Sequence, residues 1–413
     1  MSPRRANPWL ALVNDTIRWR DFVDHQRSFE VAQAADGVLE QLTAELDERG
    51  EAVADDIAPA AKRLMVRLQQ ITMHADDSSG AIGGACQDAL DLYARCCREG
   101  SPNAAKLARW IVTAREDSPG WPNITLPPFA PALTEDGWRT YRAAVAELDT
   151  RTEPGPYGIG RFEVERMILE LLDHDGDVDG AIRLLSERER PRFGAIITRL
   201  LAVERTDEAM EWLDRAVAAD RIWHQDDDYH LAYGTAADLY AGAGRVEDAI
   251  EVLRGGFRRH AGPDSYRALV EFAAPHGRRE AERDWAIAEA TRQAGLTDGG
   301  ALVGIHLSTG DEEAAWAAAR DHGAGANWSE LAKRFRTTHP DRAGELYAMQ
   351  LPGMLGVAKT RAYPGIARHL VEMQRLYAAA GRSDEFRSLM AELRGTYARR
   401  TSFIKALDKH ALP

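Results

Sequence analysis

The chain is poor in the residues that carry most recognisable chemistry. Three cysteines, Cys86, Cys96 and Cys97, stand in 413 residues, which excludes a disulfide framework and fits a reducing cytoplasm. Cys96 and Cys97 are neighbours and cannot share one helix face. No His or Cys stands at ligand spacing from them, so all three read as small buried apolar residues. Long hydrophobic runs are missing too. The stretch 9–13 is cut off by Asn14 and Asp15, too short for a signal peptide or a membrane span. The glycine-rich runs 80–84 and 323–325 lack the lysine and the strand-to-helix setting of a phosphate loop. His25, His74, His174, His276, His306, His322 and His339 are scattered, and none forms a nucleophile motif with Ser or Cys. Positive charge is short as well: the net charge of −13 opposes binding of nucleic acid by the bulk surface.

What is present favours helix. Apolar residues make up 45% and charged residues 28%, an ordinary globular composition rich in Ala, Leu, Arg and Glu. The organising stretch is residues 244–250, Gly-Arg-Val-Glu-Asp-Ala-Ile, which closes one helix and opens the next. Gly244 can take the left-handed conformation that ends a helix, and Glu247 and Asp248 suit the positive start of another. Tyr229, Tyr233, Ala236 and Tyr240 are expected on one helix face before this turn, and Ile250, Leu253 and Phe257 after it. The turn recurs at Gly277 and Gly310, steps of 33 residues, with earlier copies at 176–182 and, lacking the glycine, at 204–210. A helix-turn-helix unit of that period predicts a tetratricopeptide-like α-solenoid.

The N-terminal part shows no such period. Residues 7–50 read as one or two amphipathic helices with Trp19, Phe22, Gln26 and Phe29 on one face. Residues 118–131 hold five prolines among Trp121, Ile124, Leu126 and Phe129, and are expected as an extended strap across helices. The Pro- and Gly-rich stretch 152–158 marks a boundary. The expected domains are therefore 1–151, helical and non-repetitive with its strap at 118–131, and 152–413, the repeats. Residues 331–413 carry 15 Lys+Arg against 7 Asp+Glu, a balance of +8 that leaves −21 on the rest.

Two clusters could suggest a metal. Asp175, Asp177, Asp179 and Gly180 match the first half of a calcium loop, but Ser186 stands where a bidentate Glu is required, with Glu187 beside it. The same acids suit a helix cap, as in the sister turns. His224, Asp226, Asp227, Asp228 and His230 are dense in ligand types, yet helical spacing splits them over two faces. Neither cluster predicts a metal, and no cofactor is implied.

A resemblance follows from these residues. The stretch 76–83 (Asp-Asp-Ser-Ser-Gly-Ala-Ile-Gly), the segments 89–97 and 107–110, residues 239–250 and 373–381, and the ending 399–409 resemble the helical region of bacterial SWIM zinc-finger proteins. The Cys-x-Cys and Cys-x-His of the finger are absent, so the metal and nucleic-acid roles it implies do not carry over. The sequence thus predicts an all-α, non-enzymatic cytoplasmic scaffold that binds a protein or peptide partner on a helical-repeat surface. A second reading is an accessory subunit of a nucleic-acid-associated complex, using Arg387, Arg394, Arg399, Arg400 and Lys405 as partner-contacting residues. A weaker third is an enzyme whose site only folding assembles.

Overall fold

Several helices of the first unit begin where the sequence supplies a cap. The Asn7 side chain accepts from the backbone N–H groups of Trp9 and Leu10 and starts α1 (Pro8–Thr16). Asp24 accepts from Arg27 to start α2 (His25–Arg49). After α3 (Glu51–Thr72) and α4 (Ala81–Glu99), Asn103 does the same for α5 (Ala104–Glu116). Such side-chain caps satisfy donors that the first helical turn leaves unpaired. Next come α6 (Glu135–Arg151), α7 (Ile159–Asp175) and α8 (Val178–Ser186).

This computed structural model describes residues 7–19, 21–117, 121–152, 159–187, 190–357 and 359–413. The fold is all-α, as the composition implied. No helix among the described residues is long and apolar enough to cross a membrane. The chain forms two compact units, Met1–Leu184 and Leu185–Pro413. The sequence boundary at 152–158 falls almost wholly outside the described residues. The helix α7 beyond it packs on α5 and α6 and buries Val164 and Met167 in the first unit's core.

In the first unit α4 is the central element. It buries residues around most of its circumference, including Cys86, Tyr93, Cys96 and Cys97, because α2 and α3 pack against it. The strap crosses it: Trp121 Nε1 donates to the Gly83 carbonyl at 3.0 Å, and Ile124, Leu126 and Phe129 are buried. Residues 118–120 of that strap lie outside the described residues. The face expected from Trp19 to Phe29 is not formed. Phe22 and Phe29 are 64% and 51% exposed. Because α2 starts only at His25, its buried face runs instead through Val31, Ala35, Val38, Leu42 and Leu46.

The second unit is a run of helix pairs: α9 (Phe193–Ala202) with α10 (Thr206–Ala218), α11 (Tyr233–Gly242) with α12 (Val246–Arg259), and α13 (Pro263–Ala273) with α14 (Arg279–Ala294). They continue with α15 (Gly300–Thr309) and α16 (Glu312–His322), then α17 (Trp328–Thr338) and α18 (Pro340–Gly356). The last are α19 (Tyr363–Ala379), α20 (Ser383–Thr396) and α21 (Thr401–Lys409). Gly244, Gly277, Gly310 and Gly381 all take φ between 68° and 79° at the turns within pairs. Where the copy at 204 lacks a glycine, Glu204 adopts the same left-handed conformation, φ 58°.

Candidate functional site

The interval before Gly244 is longer than the period. From the turn at Glu204 to the turn at Gly244 is 40 residues, not 33, and the excess lies between α10 and α11. There the chain makes a two-residue parallel ladder of β1 (Ile222–Trp223) and β2 (Leu231–Ala232), with a loop between them. Tyr229, expected within the helix, sits in this loop, since α11 begins four residues later.

The acids that looked like metal ligands hold the loop together. The Asp226 carboxylate accepts from the backbone of Ala232 at 2.7 Å and from the Thr235 hydroxyl at 2.8 Å, capping α11. Asp227 accepts from the backbone of Tyr229 and His230 at 2.7 and 2.8 Å, and its carboxylate lies 3.0 Å from His230 Nδ1. Burial acts to raise the Asp227 pKa, but these bonds outweigh it and hold the group below the usual carboxylate range. Asp228 lies 3.5 Å from the buried Arg192 guanidinium, and its carbonyl accepts from Ala195. At the earlier turn, both Asp175 oxygens bind Arg142 at 2.5 and 2.6 Å, and Asp177 accepts from the Gly180 backbone at 2.8 Å. Among the described residues no three His, Cys, Asp or Glu side chains gather as a metal requires.

The loop instead closes one side of a cavity of about 480 Å³. Its walls are Tyr233, Leu253, Phe257 and Pro263, with His224 and His260 at the rim, ring centroids 6.4 Å apart. Gly256 makes this shape possible, because a Cβ there would lie 2.8 Å from the Tyr233 ring. On the far side of Tyr233 is a smaller cavity of about 260 Å³, reached past Gly255 and rimmed by Asp220, Glu251, Arg258 and Arg259. Those charges are paired: Arg259 with Asp220, and Arg258 with Glu251 at 2.8 Å. Trp223 backs the rim, its ring centroid 5.6 Å from that of His260 and 5.3 Å from the Arg259 guanidinium.

Its lining is mostly apolar, with the polar side chains of His224, His260, Asp264 and Ser265 around it, a shape and chemistry that suit an apolar group. The Ser265 hydroxyl is spent on the His260 and Gly262 carbonyls at 2.7 and 3.2 Å, so it is not aligned with a base as a nucleophile would be.

Of the five basic residues singled out in the sequence, three are engaged within the protein. Arg387 pairs with Asp384. Arg394 holds Asp408 at 2.8 Å and the Leu412 and Pro413 carbonyls at 2.8 and 2.7 Å. Arg400 donates to the Leu355 carbonyl at 2.9 Å and lies over the Tyr397 ring. Arg399 and Lys405 remain exposed, with no ion pair among the described residues. Sequence reasoning missed the cavity. Its two available signals were the seven extra residues before Gly244 and the Gly255-Gly256 pair inside an otherwise strong helix.

Residues 35–272 match the model of a family described as "Family of unknown function (DUF6880)", which is more than half of the sequence, and the chain belongs to that family. No curated protein matches it. The matched residues include the whole loop-and-cavity site and stop short of the basic set at 387–405.

Proposed function

We propose that this family member is a non-enzymatic cytoplasmic scaffold whose second unit is a tetratricopeptide-like solenoid that binds an extended segment of a partner protein. Support for the solenoid comes from the packing. The main contacts of each helix are with its chain neighbours and the next helix but one, as between α12 and α14 or α13 and α15. On this reading the chain is related to the helical region of bacterial SWIM zinc-finger proteins, without the finger.

The observation that carries the binding reading is the cavity of about 480 Å³ between α11, α12 and α13, apolar within and rimmed by two histidines. A pocket of that kind takes one bulky apolar side chain of a peptide, while polar neighbours fix its backbone. The accessory nucleic-acid reading is weaker, because three of the five cations it relies on are engaged within the protein.

Ala268 is exposed on α13 and lines the cavity, so Ala268→Trp should fill it without disturbing the core. Selection of a displayed random peptide library on the full chain should enrich sequences sharing one large apolar residue, and these should be lost on the Ala268→Trp protein. Enrichment that is equal on both proteins, or no enrichment, would reject the proposal.

A further inference from the structure

Each unit carries a charged face whose groups are not spent within the protein. In the first unit, α2 and α4 pack side by side. Phe29, Gln33, Asp36 and Glu40 follow one another at spacings of four, three and four, so they share one face of α2, and all four are exposed. Gly84, Asp88 and Asp91, at spacings of four and three, form an exposed stripe on α4. The carboxylates of Asp36, Glu40, Asp88 and Asp91 have no ion pair among the described residues. Arg95, next along the α4 stripe, is spent on Asp47 and Glu99, both at 2.6 Å. The acids press on one another: partial burial, then repulsion from Asp91 and Asp36, raise the Asp88 pKa. On the same face of α2, Phe29 is 51% exposed, and the His25 ring meets it edge-on with centroids 5.4 Å apart.

In the second unit, α19 and α21 also pack together, with Tyr363 and Phe403 in ring contact at 5.4 Å. Arg361, just before α19, and Arg368 on it are exposed, as are Arg399, just before α21, and Lys405 and Lys409 on it. None of these five has an ion pair among the described residues. Asp408, the acid between the two lysines, is already held by Arg394 at 2.8 Å. The two faces match in layout and oppose in sign. Each spreads over two packed helices, with four carboxylates on one face and five cations on the other.

We infer that the acidic face of α2 and α4 on one copy of this chain docks the basic face of α19 and α21 on a second copy, with Phe29 as its apolar anchor. A second copy always presents the complementary face, and at equal concentration. The incoming cations relieve the repulsion among Asp36, Asp88 and Asp91, and opposed charges speed encounter and fix register. The net charge of −13 opposes association only at long range, because at about 0.15 M salt the Debye length is near 8 Å and contacts between the faces are shorter. The contact joins unlike faces, so copies either exchange it reciprocally or add head to tail. It shares no residue with the apolar cavity and holds whatever that cavity binds.

Sedimentation velocity of the full chain from about 1 to 100 μM at about 0.15 M salt tests this. The wild type should associate within that span. Asp36→Lys with Asp88→Lys, and separately Arg368→Glu with Lys405→Glu, should each weaken association at least about tenfold. Phe29→Ala should weaken it too, as loss of an aromatic anchor does. An equimolar mixture of the two charge-reversed proteins should associate again, because each presents the charge that the other now needs. A variant that failed to fold could not do this, and circular dichroism checks folding directly. The inference is overturned if the wild type stays monomeric up to about 100 μM. It fails equally if the reversals leave association unchanged, or if the two folded variants do not associate when mixed. Association lost on nuclease treatment would assign the basic face to nucleic acid and overturn it as well.

Discussion

Lys62 is half-buried on α3, its ammonium 4.2 Å from the centroid of the Trp110 ring and 5.4 Å from that of Tyr93. Burial lowers its pKa from 10.5 to about 8, with the neighbouring Cys97 raising it slightly. Between those two values the unfolded chain binds a proton that the folded chain does not, so this residue makes stability rise with pH across that window. The buried thiols act the other way. Burial pushes Cys86 and Cys96 up to about 12 and Cys97 up to about 11, so above pH 9 the unfolded chain releases protons that the folded chain keeps. The lysine's part is therefore read as a difference. Urea midpoints of the wild type should gain on those of Lys62→Met as pH climbs from about 8 to 10, and parallel profiles would contradict the placement of Lys62. The burial of the cysteines was legible from their type. What was not legible is that α4 is packed on several sides, which is how the neighbours Cys96 and Cys97 are covered together, because periodicity assumes one apolar face.

The repeat turn shows what a helix pair asks of its sequence. Gly244, Gly277, Gly310 and Gly381 were readable because a left-handed φ is cheap only for glycine. Glu204 takes that conformation without being glycine, a strain of about 1–2 kcal/mol. Glycine would remove the strain but give back about 0.5–1 kcal/mol of unfolded-state entropy. Glu204→Gly is thus expected to stabilise by about 0.5–1 kcal/mol, and Gly244→Ala to destabilise by about 1 kcal/mol. Chemical denaturation checks both, and an unchanged or lower midpoint for Glu204→Gly would contradict the strain. The segment between α10 and α11 escaped sequence reading for a related reason. Tyr229, Tyr233, Ala236 and Tyr240 keep helical spacing across a place where the backbone is not helical. Asp226 holds the start of α11 from six and nine residues away in sequence, through Ala232 and Thr235, and Asp227 holds the loop internally through His230. Such long-reach hydrogen bonds leave no period to detect.

Across the whole molecule, the sequence showed where charge accumulates but not how it is spent. The +8 of residues 331–413 is partly offset by acids from outside that segment, with Arg342 on Glu313 at 2.6 Å and Arg334 on Glu330 at 3.4 Å. Nucleic-acid binding at about 0.15 M salt is accordingly expected to be weaker than roughly micromolar, the non-specific range. Fluorescence anisotropy with labelled single- and double-stranded oligonucleotides measures it. Nanomolar binding abolished by Arg399→Glu with Lys405→Glu, both exposed positions, would restore the nucleic-acid reading. The central claim is that a partner protein inserts an apolar side chain between α11, α12 and α13. Its most direct measurement is photo-crosslinking in host extract from a benzophenone amino acid placed at Ala268, with a second at the exposed Ser388 as control. The account expects a discrete protein adduct from position 268, absent from 388 and competed by excess wild-type chain but not by Ala268→Trp. The same adducts from both positions, or competition by Ala268→Trp as effective as by the wild type, would contradict it.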